Sequence, residues 1–247
     1  MKFSELFQHT FKALRHELGH DRPRDTRPMW QRRLSTQSVF CRALVDNGYL
    51  TEEQMQRAAQ RYRLGTSRDG GVIFWQTDQL EQVYDGKIMY YRTDCHRDHS
   101  RKPTWVSYLL KRNGLLPEYW KSEHCLFGTH LVNAQFTMHN AQLAVAVVES
   151  EKTAIILSEH YPDCLWLAAG GLYELTAVKL FPLRGRKIIL FPDTDTDGMA
   201  YGTWYKVMQE AQHLLGQTIH LSALLEQRAT KAEKAAKIDI VDYLFRN

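Results

Sequence analysis

Between residues 143 and 221 the chain alternates short, continuously apolar runs with longer segments of helical periodicity. The apolar runs are "LAVAVV", "CLWLAAGG", "KIILF" and "TIHLSAL", and between them lie "EKTAIILSEHY", "LYELTAVKLFPL" and "AYGTWYKVMQEAQHLL". Strands that are apolar on both sides must be covered on both faces, and intervening helices supply that cover. The alternation therefore predicts an α/β unit built on a parallel sheet. In such sheets function gathers at the carboxyl ends of the strands. Two of the runs end there on acids: Glu149 directly follows "LAVAVV", and Asp193 and Asp195 follow "KIILF" after one proline.

Carboxylates brought together at one sheet edge repel each other, and a divalent cation that prefers oxygen ligands, Mg²⁺ or Mn²⁺, relieves that repulsion most simply. In an extended D-T-D-T-D stretch, Asp193, Asp195 and Asp197 share one side, and Gly198 permits a tight turn into the next helix. Glu149, Asp193 and Asp195 are the expected ligands. Asp197 either completes the set or caps the helix that starts near Met199.

Upstream the pattern differs. Residues 3–19 have the apolar spacing of an amphipathic helix, and "GHDRPRDTRP" reads as a linker. Residues 36–63 read as two helices around "DNGY", the second opened by a capping box at Thr51 and ended by Gly65. "GGVIFWQTD" and "GKIMYYRTD" read as antiparallel strands with a turn at Asp85-Gly86. The expected organisation is an N-terminal α+β basic lobe over 1–139, a parallel-sheet domain over 140–220 and a helical tail over 221–247.

The net charge of +4 is too small to identify a nucleic-acid binder, but the basic residues are clustered. Arg22, Arg24, Arg27, Arg32 and Arg33 form one group, and Lys87, Arg92, Arg97, Arg101, Lys102, Lys111, Arg112 and Lys121 another. Aromatic residues interleave with the second group at Phe74, Trp75, Tyr90, Tyr91 and Trp105, where an open sheet would let them stack bases. In an alternating strand half of them face a core instead. The four cysteines, at 41, 95, 125 and 164, form no C-x-x-C pair. Cys95, His96 and His99 offer only three local zinc ligands, so a polar loop is the preferred reading of that segment. No apolar run is long enough to cross a bilayer, and the first residues lack the apolar core of a secretory signal, so a cytoplasmic protein is expected.

An apolar strand ending in Glu, a strand ending in Gly ("WLAAGG") and an apolar strand ending in D-x-D-x-x-G, with helices between them, resemble in that order the Toprim domain of bacterial primases, topoisomerases and some nucleases. The match covers roughly 140–215, and implies a Toprim-like, Rossmann-like sheet. The upstream runs "RYRLG", "GGVIFWQTD", "GKIMYY" and "HCLFG" resemble the N-terminal lobe of a bacterial primase core. Taken together they are similar to primase-related Toprim-like proteins of Bacteroidetes chromosomes and mobile elements. "KIDIVDYL" near the C-terminus resembles a segment that often follows a primase-type Toprim domain. The zinc-binding module of replicative primases has no counterpart among these residues.

The resemblance implies that Asp193 and Asp195 hold Mg²⁺ or Mn²⁺, and that Glu149 is a further ligand or the general base. Lys87, Arg92 and Lys102 would contact nucleic-acid phosphates, and Lys152 would neutralise the acidic cluster or a nucleotide phosphate. The expected activity is primase-like nucleotidyl transfer on single-stranded DNA in replication or a mobile element, with nucleotides and a replication or mobile-element protein as partners. The alternatives are a Toprim nuclease that hydrolyses phosphodiesters and a non-catalytic module that binds nucleic acid or protein.

Overall fold

The computed structural model describes residues 35–117, 119, 121, 123–132 and 143–246. The expected helix over 3–19, the linker after it and the Arg22–Arg33 cluster lie outside the described residues, as does the expected lobe boundary near 139. The chain divides into two compact units, residues 1–124 and 125–247. Residues 125–132 go with the second because Phe127 and Ala168 exchange backbone hydrogen bonds, at 2.9 and 3.0 Å.

In the first unit, α1 (Val39–Asp46) and α2 (Glu52–Tyr62) flank the "DNGY" turn. The Thr51–Gln54 capping box opens α2 as expected, but Arg63 (φ 57°), not Gly65, takes the left-handed position that closes it. Gly65 instead opens an antiparallel sheet in the order β1 (Gly65–Thr66), β2 (Val72–Thr77), β3 (Val83–Met89), β4 (Thr104–Trp105). On one face of β2, Phe74 meets Phe40 edge-on at 5.4 Å. On the other, Ile73 and Trp75 pack with Ile88, Val106 and Leu109, the last two from α3 (Val106–Arg112).

Asp85-Gly86 is not the expected turn but lies inside β3. The turn falls at Asp78–Gln82, where the Asp78 carboxylate accepts the Leu80 and Gln82 amides and Glu81 takes φ 64°. Gly86 pairs with Trp75, and a Cβ there would stand 2.8 Å from the indole. Asp85 is fully buried. It accepts the Gly86 amide at 2.7 Å, the Ser107 amide at 3.0 Å and the Ser107 hydroxyl, which fastens the start of α3 to β3.

The second unit is a mixed α/β unit on a parallel sheet, as the alternation predicts. Its strands are β5 (Ala144–Val148), β6 (Cys164–Ala168), β7 (Ile188–Phe191) and β8 (Ile219–Leu221), ordered β6-β5-β7-β8 and all parallel. Val145, Val147, Leu165, Leu167, Ile188 and Leu190 face a core shared with Trp204, Ala211 and Leu215 of α5 (Met199–Leu215). The opposite face is covered by α4 (Glu151–His160). Only Val178–Leu183 of the helix expected between β6 and β7 forms, as a 3₁₀ turn; Pro182 inside it cannot donate a helical hydrogen bond. The tail is helical, with α6 (Leu224–Arg228), α7 (Lys231–Ala236) and α8 (Ile240–Leu244), the last packed on α4. No helix among the described residues is long and apolar enough to cross a membrane.

Gly86→Ala is expected to destabilise the protein by about 1–3 kcal/mol, the usual cost of overpacking. Urea denaturation checks this, and an unchanged midpoint would show that the Trp75 indole gives way.

Candidate active site at the carboxyl edge of the parallel sheet

Val148, the last residue of β5, stands opposite Phe191, the last residue of β7. The chain therefore delivers Glu149 and Asp193 side by side, one residue past the first strand and two past the second. The position is a topological switch point: from β5 the chain crosses to β6 on one side, and β7 lies on the other. The helices that follow β5 and β7 accordingly cover opposite faces, which leaves a crevice between the two strand ends where ligands of α/β sheets bind.

A third element closes on this edge. The Thr194 amide donates to the Ile238 carbonyl at 3.2 Å, which holds the tail against the segment after β7. At the start of α8, Asp239 and Asp242 form a reciprocal capping box. The Thr153 hydroxyl of α4 donates to the Asp239 carboxylate at 2.5 Å, and Ser150, after Glu149, caps α4 through the Thr153 amide at 3.2 Å. Burial and the negative charges of Glu149, Asp239 and Asp242 push the Asp193 carboxyl well above the usual carboxylate range, against the opposing pull of Lys152. Thr194 is 2% exposed, and its hydroxyl has no hydrogen-bond partner among the described residues. Asp239 and Asp242 were absent from the expected set; their signal was the "KIDIVDYL" run.

Asp195 is placed differently from the expectation. Its two carboxylate oxygens accept the amides of Asp197 (2.9 Å), Met199 (2.9 Å) and Ala200 (2.7 Å), so it caps the first turn of α5. Slight burial raises its carboxyl, but the three amides and Lys237 outweigh this and hold it below the usual range. The extended D-T-D-T-D stretch does not form, because residues 196 and 197 turn. Asp197 is exposed and is not the cap either; Gly198, at φ 65°, is the residue before the helix. Two acids separated by one residue are thus shifted in opposite directions, because burial and neighbouring carboxylates act on one and backbone amides on the other.

Among the described residues no three His, Cys, Asp or Glu side chains are grouped so that they could hold a metal ion. The donors that do meet, Glu149 and Asp193, are hard oxygen donors with excess negative charge around them. That chemistry fits Mg²⁺ or Mn²⁺, since Mg²⁺ usually takes one or two carboxylates and completes its shell with water and substrate phosphate. It does not fit a preformed cage of protein ligands. Cys95, buried at φ 62°, sits in a turn where Asp94 accepts the His96 amide at 3.0 Å.

Of the expected basic contacts, Lys152 lies in the first turn of α4 and acts on Asp193. The others belong to the first unit: Lys87 lies in β3 opposite Phe74 and Trp105, Arg92 pairs with Asp94 at 2.6 Å, and Lys102 is exposed in a loop. Phe74 and Trp75 are core residues, Tyr90 lies under the Arg101 guanidinium at 3.5 Å, and Tyr91 packs on Phe40. Trp105 stacks on His124 at 4.0 Å. The alternation of the strands, with both faces covered, has claimed most of these rings.

Asp195→Ala is expected to cost about 1 kcal/mol of stability through loss of the helix cap, while Asp197→Ala leaves the thermal midpoint unchanged. Equal effects would sink the capping assignment. A second expectation follows from Asp193. Its folded carboxyl keeps its proton to higher pH than the unfolded one, so its contribution is complete below the usual carboxylate pKa and is lost as pH rises through the raised folded value. Asp193→Asn should therefore raise the midpoint at neutral pH and leave it unchanged in acid, as read from unfolding curves across that range.

No curated protein matches the sequence. Among solved structures, the chain is similar to the primase fragment of the bacteriophage T7 primase-helicase protein, at 17% identity and a TM-score of 0.42, with 76% of this chain and 65% of that one covered. It is also similar to the zinc-binding and RNA polymerase domains of Aquifex aeolicus primase, at 14% identity and a TM-score of 0.45, over 89% of this chain and 62% of that one. The RNA polymerase domain of Mycobacterium tuberculosis primase DnaG gives 14% identity and a TM-score of 0.48, over 98% and 86%. The chain thus spans slightly less than two thirds of the length of the first two. Residues 38–194, which run from the N-cap of α1 to the segment that carries Asp193, match one family, and the chain belongs to it: the domain of unknown function DUF6371.

Proposed function

We propose that this protein is a Toprim-like, primase-related enzyme that carries out Mg²⁺- or Mn²⁺-dependent nucleotidyl transfer on single-stranded DNA. The observation that carries the reading is the pairing of Glu149 with Asp193 at the switch point of the parallel sheet, with Asp193 crowded by further acids. Carboxylates gathered at one sheet edge each raise the cost of ionising the next, and a divalent cation that prefers oxygen ligands relieves that cost. The order of strand-Glu, strand-Gly-Gly and strand-D-x-D, which resembles Toprim domains, supports the same reading.

In this proposal Glu149 and Asp193 hold the ion, and Asp239, fixed by Thr153, adds negative charge behind them. The ion when bound offsets charge on a nucleotide phosphate. Glu149 takes the proton of the attacking hydroxyl. Lys152 balances Asp193 before substrate arrives and meets phosphate afterwards. Lys87, Arg92 and Lys102 of the first unit contact the polymer backbone, which positions the strand without reading its sequence.

The test is incubation of the full chain with Mg²⁺ or Mn²⁺, single-stranded DNA and labelled nucleotides. Labelled oligomers should form, and Glu149→Gln and Asp193→Asn should each reduce the rate by roughly a hundredfold or more, the scale seen when a group that stabilises transition-state charge is removed. Shortened DNA would replace the reading with hydrolysis. Salt-sensitive DNA binding without turnover would replace it with a binding module.

A further inference from the structure

Beside the acidic pair lies an apolar feature that the proposed chemistry does not use. Tyr173 is 72% exposed, Met199 is 51% exposed, and the Tyr173 hydroxyl donates to the Met199 Sδ at 3.3 Å. This exposure does not come from a loosely held backbone. On one side of Tyr173, Leu172 packs on the core and its carbonyl accepts the Trp204 indole N–H at 3.0 Å. On the other side, the Glu174 carbonyl accepts Lys179 Nζ at 2.6 Å and Leu175 is buried. Met199 is held by its own amide, which donates to Asp195 at 2.9 Å. A single exposed apolar side chain is ordinary on a protein surface. A ring and a thioether held outward by an anchored backbone form a prepared surface, with little ordering left to lose on binding.

Topology brings the segments that carry this pair to the sheet edge that carries the acidic site. Tyr173 follows β6 and Met199 follows β7, and β5 lies between those strands in the sheet. The hydrogen bond between them thus joins the segments that follow the two strands flanking β5, the strand after which Glu149 emerges. The pair belongs to the face covered by α5, since Leu172 and Trp204 pack in that core. Lys152 of α4 and Asp239 and Asp242 of α8 belong to the opposite face, which α4 covers. The strand ends thus carry a charged flank on one side and an aromatic flank on the other.

We propose that Tyr173 and Met199 form the platform on which the base of a nucleotide stacks while its phosphates lie at Glu149 and Asp193. The proposal rests on the reading of the acidic pair given above. A ligand that is anionic at one end and flat and aromatic at the other uses both flanks. Inorganic phosphate uses only the charged one, and an apolar peptide only the aromatic one. Aromatic stacking accepts every base, because each has a π-face, and the polarisable thioether adds a soft contact. The platform therefore supplies affinity for nucleosides without choosing among bases.

Calorimetric titration of the full chain with a nucleoside triphosphate and, separately, with inorganic tripolyphosphate, both with Mg²⁺, tests this. Tyr173→Ala should weaken the nucleoside triphosphate on the order of tenfold and leave tripolyphosphate unchanged, and Tyr173→Phe should retain the affinity. Equal weakening of both ligands, no weakening of either, or failure of the wild-type protein to bind the nucleotide would overturn the platform. Asp193→Asn separates the two readings, since it should weaken both ligands. If it weakens neither while Tyr173→Ala acts on the nucleotide alone, the acidic pair is misread and the platform stands.

Discussion

The parallel pairing of β5 with β7 is the constraint on which the site depends. It ends with Val148 opposite Phe191, so the next acid on each strand emerges at the same height of the same edge. The pairing is specified by burial. Val145 and Val147 of β5 and Ile188 and Leu190 of β7 supply one face of the core, and a slip of one residue would turn each set toward the other face. The apolar core and the acidic pair are therefore one specification: the residues that fix the register also set the distance between Glu149 and Asp193.

That arrangement has an electrostatic cost, and the fold carries it unevenly. Asp195 sits two residues beyond Asp193 in the chain, yet three amides at the start of α5 satisfy it. Among the described residues no amide acts on Asp193 in this way, and it faces Glu149, Asp239 and Asp242 instead. The tail deepens the imbalance, because the Asp239–Asp242 capping box adds two carboxylates at the start of α8, with Lys152 as the opposing charge. Environments that push the pKa values of neighbouring carboxyls apart give those carboxyls different chemistry.

Much of this was legible in the chain before folding. Continuous apolar strands alternating with helices gave the parallel sheet, and the acids that follow two of them gave Glu149 and Asp193. What could not be read was which backbone amides each acid would meet. Asp195 and Asp197 look equivalent in D-T-D-T-D, and only the turn at 196–197 aims the α5 amides at the first of them. Asp239 lies far along the chain from Glu149 and is joined to that edge by Thr153 and by the backbone bond from Thr194 to Ile238, long-range contacts that no local pattern encodes. In the first unit, Asp85-Gly86 carries a turn signature but serves a strand, because Gly86 makes room for Trp75 and Asp85 fastens α3. The dipeptide satisfies two different demands, and tertiary packing selects between them.

Asp85 also sharpens what makes Asp193 unusual. Both are acids on or just past a β-strand, Asp85 fully buried and Asp193 half-buried, and what sets them apart is the groups they face. Asp85 is enclosed by donors: the Gly86 amide, the Ser107 amide and hydroxyl, and His124 Nε2 at 3.6 Å. The hydrogen bonds to its oxygens come from the fold itself, and they seat α3 on β3. Asp193 is flanked by the carboxylates of Glu149, Asp239 and Asp242, with Lys152 as the opposing charge. A buried carboxylate surrounded by donors is consistent with architecture, whereas one surrounded by carboxylates is stable only as the acid or with a cation. This asymmetry between two acids of one chain, rather than the number of aspartates at the edge of the sheet, separates the candidate site from the scaffold that carries it.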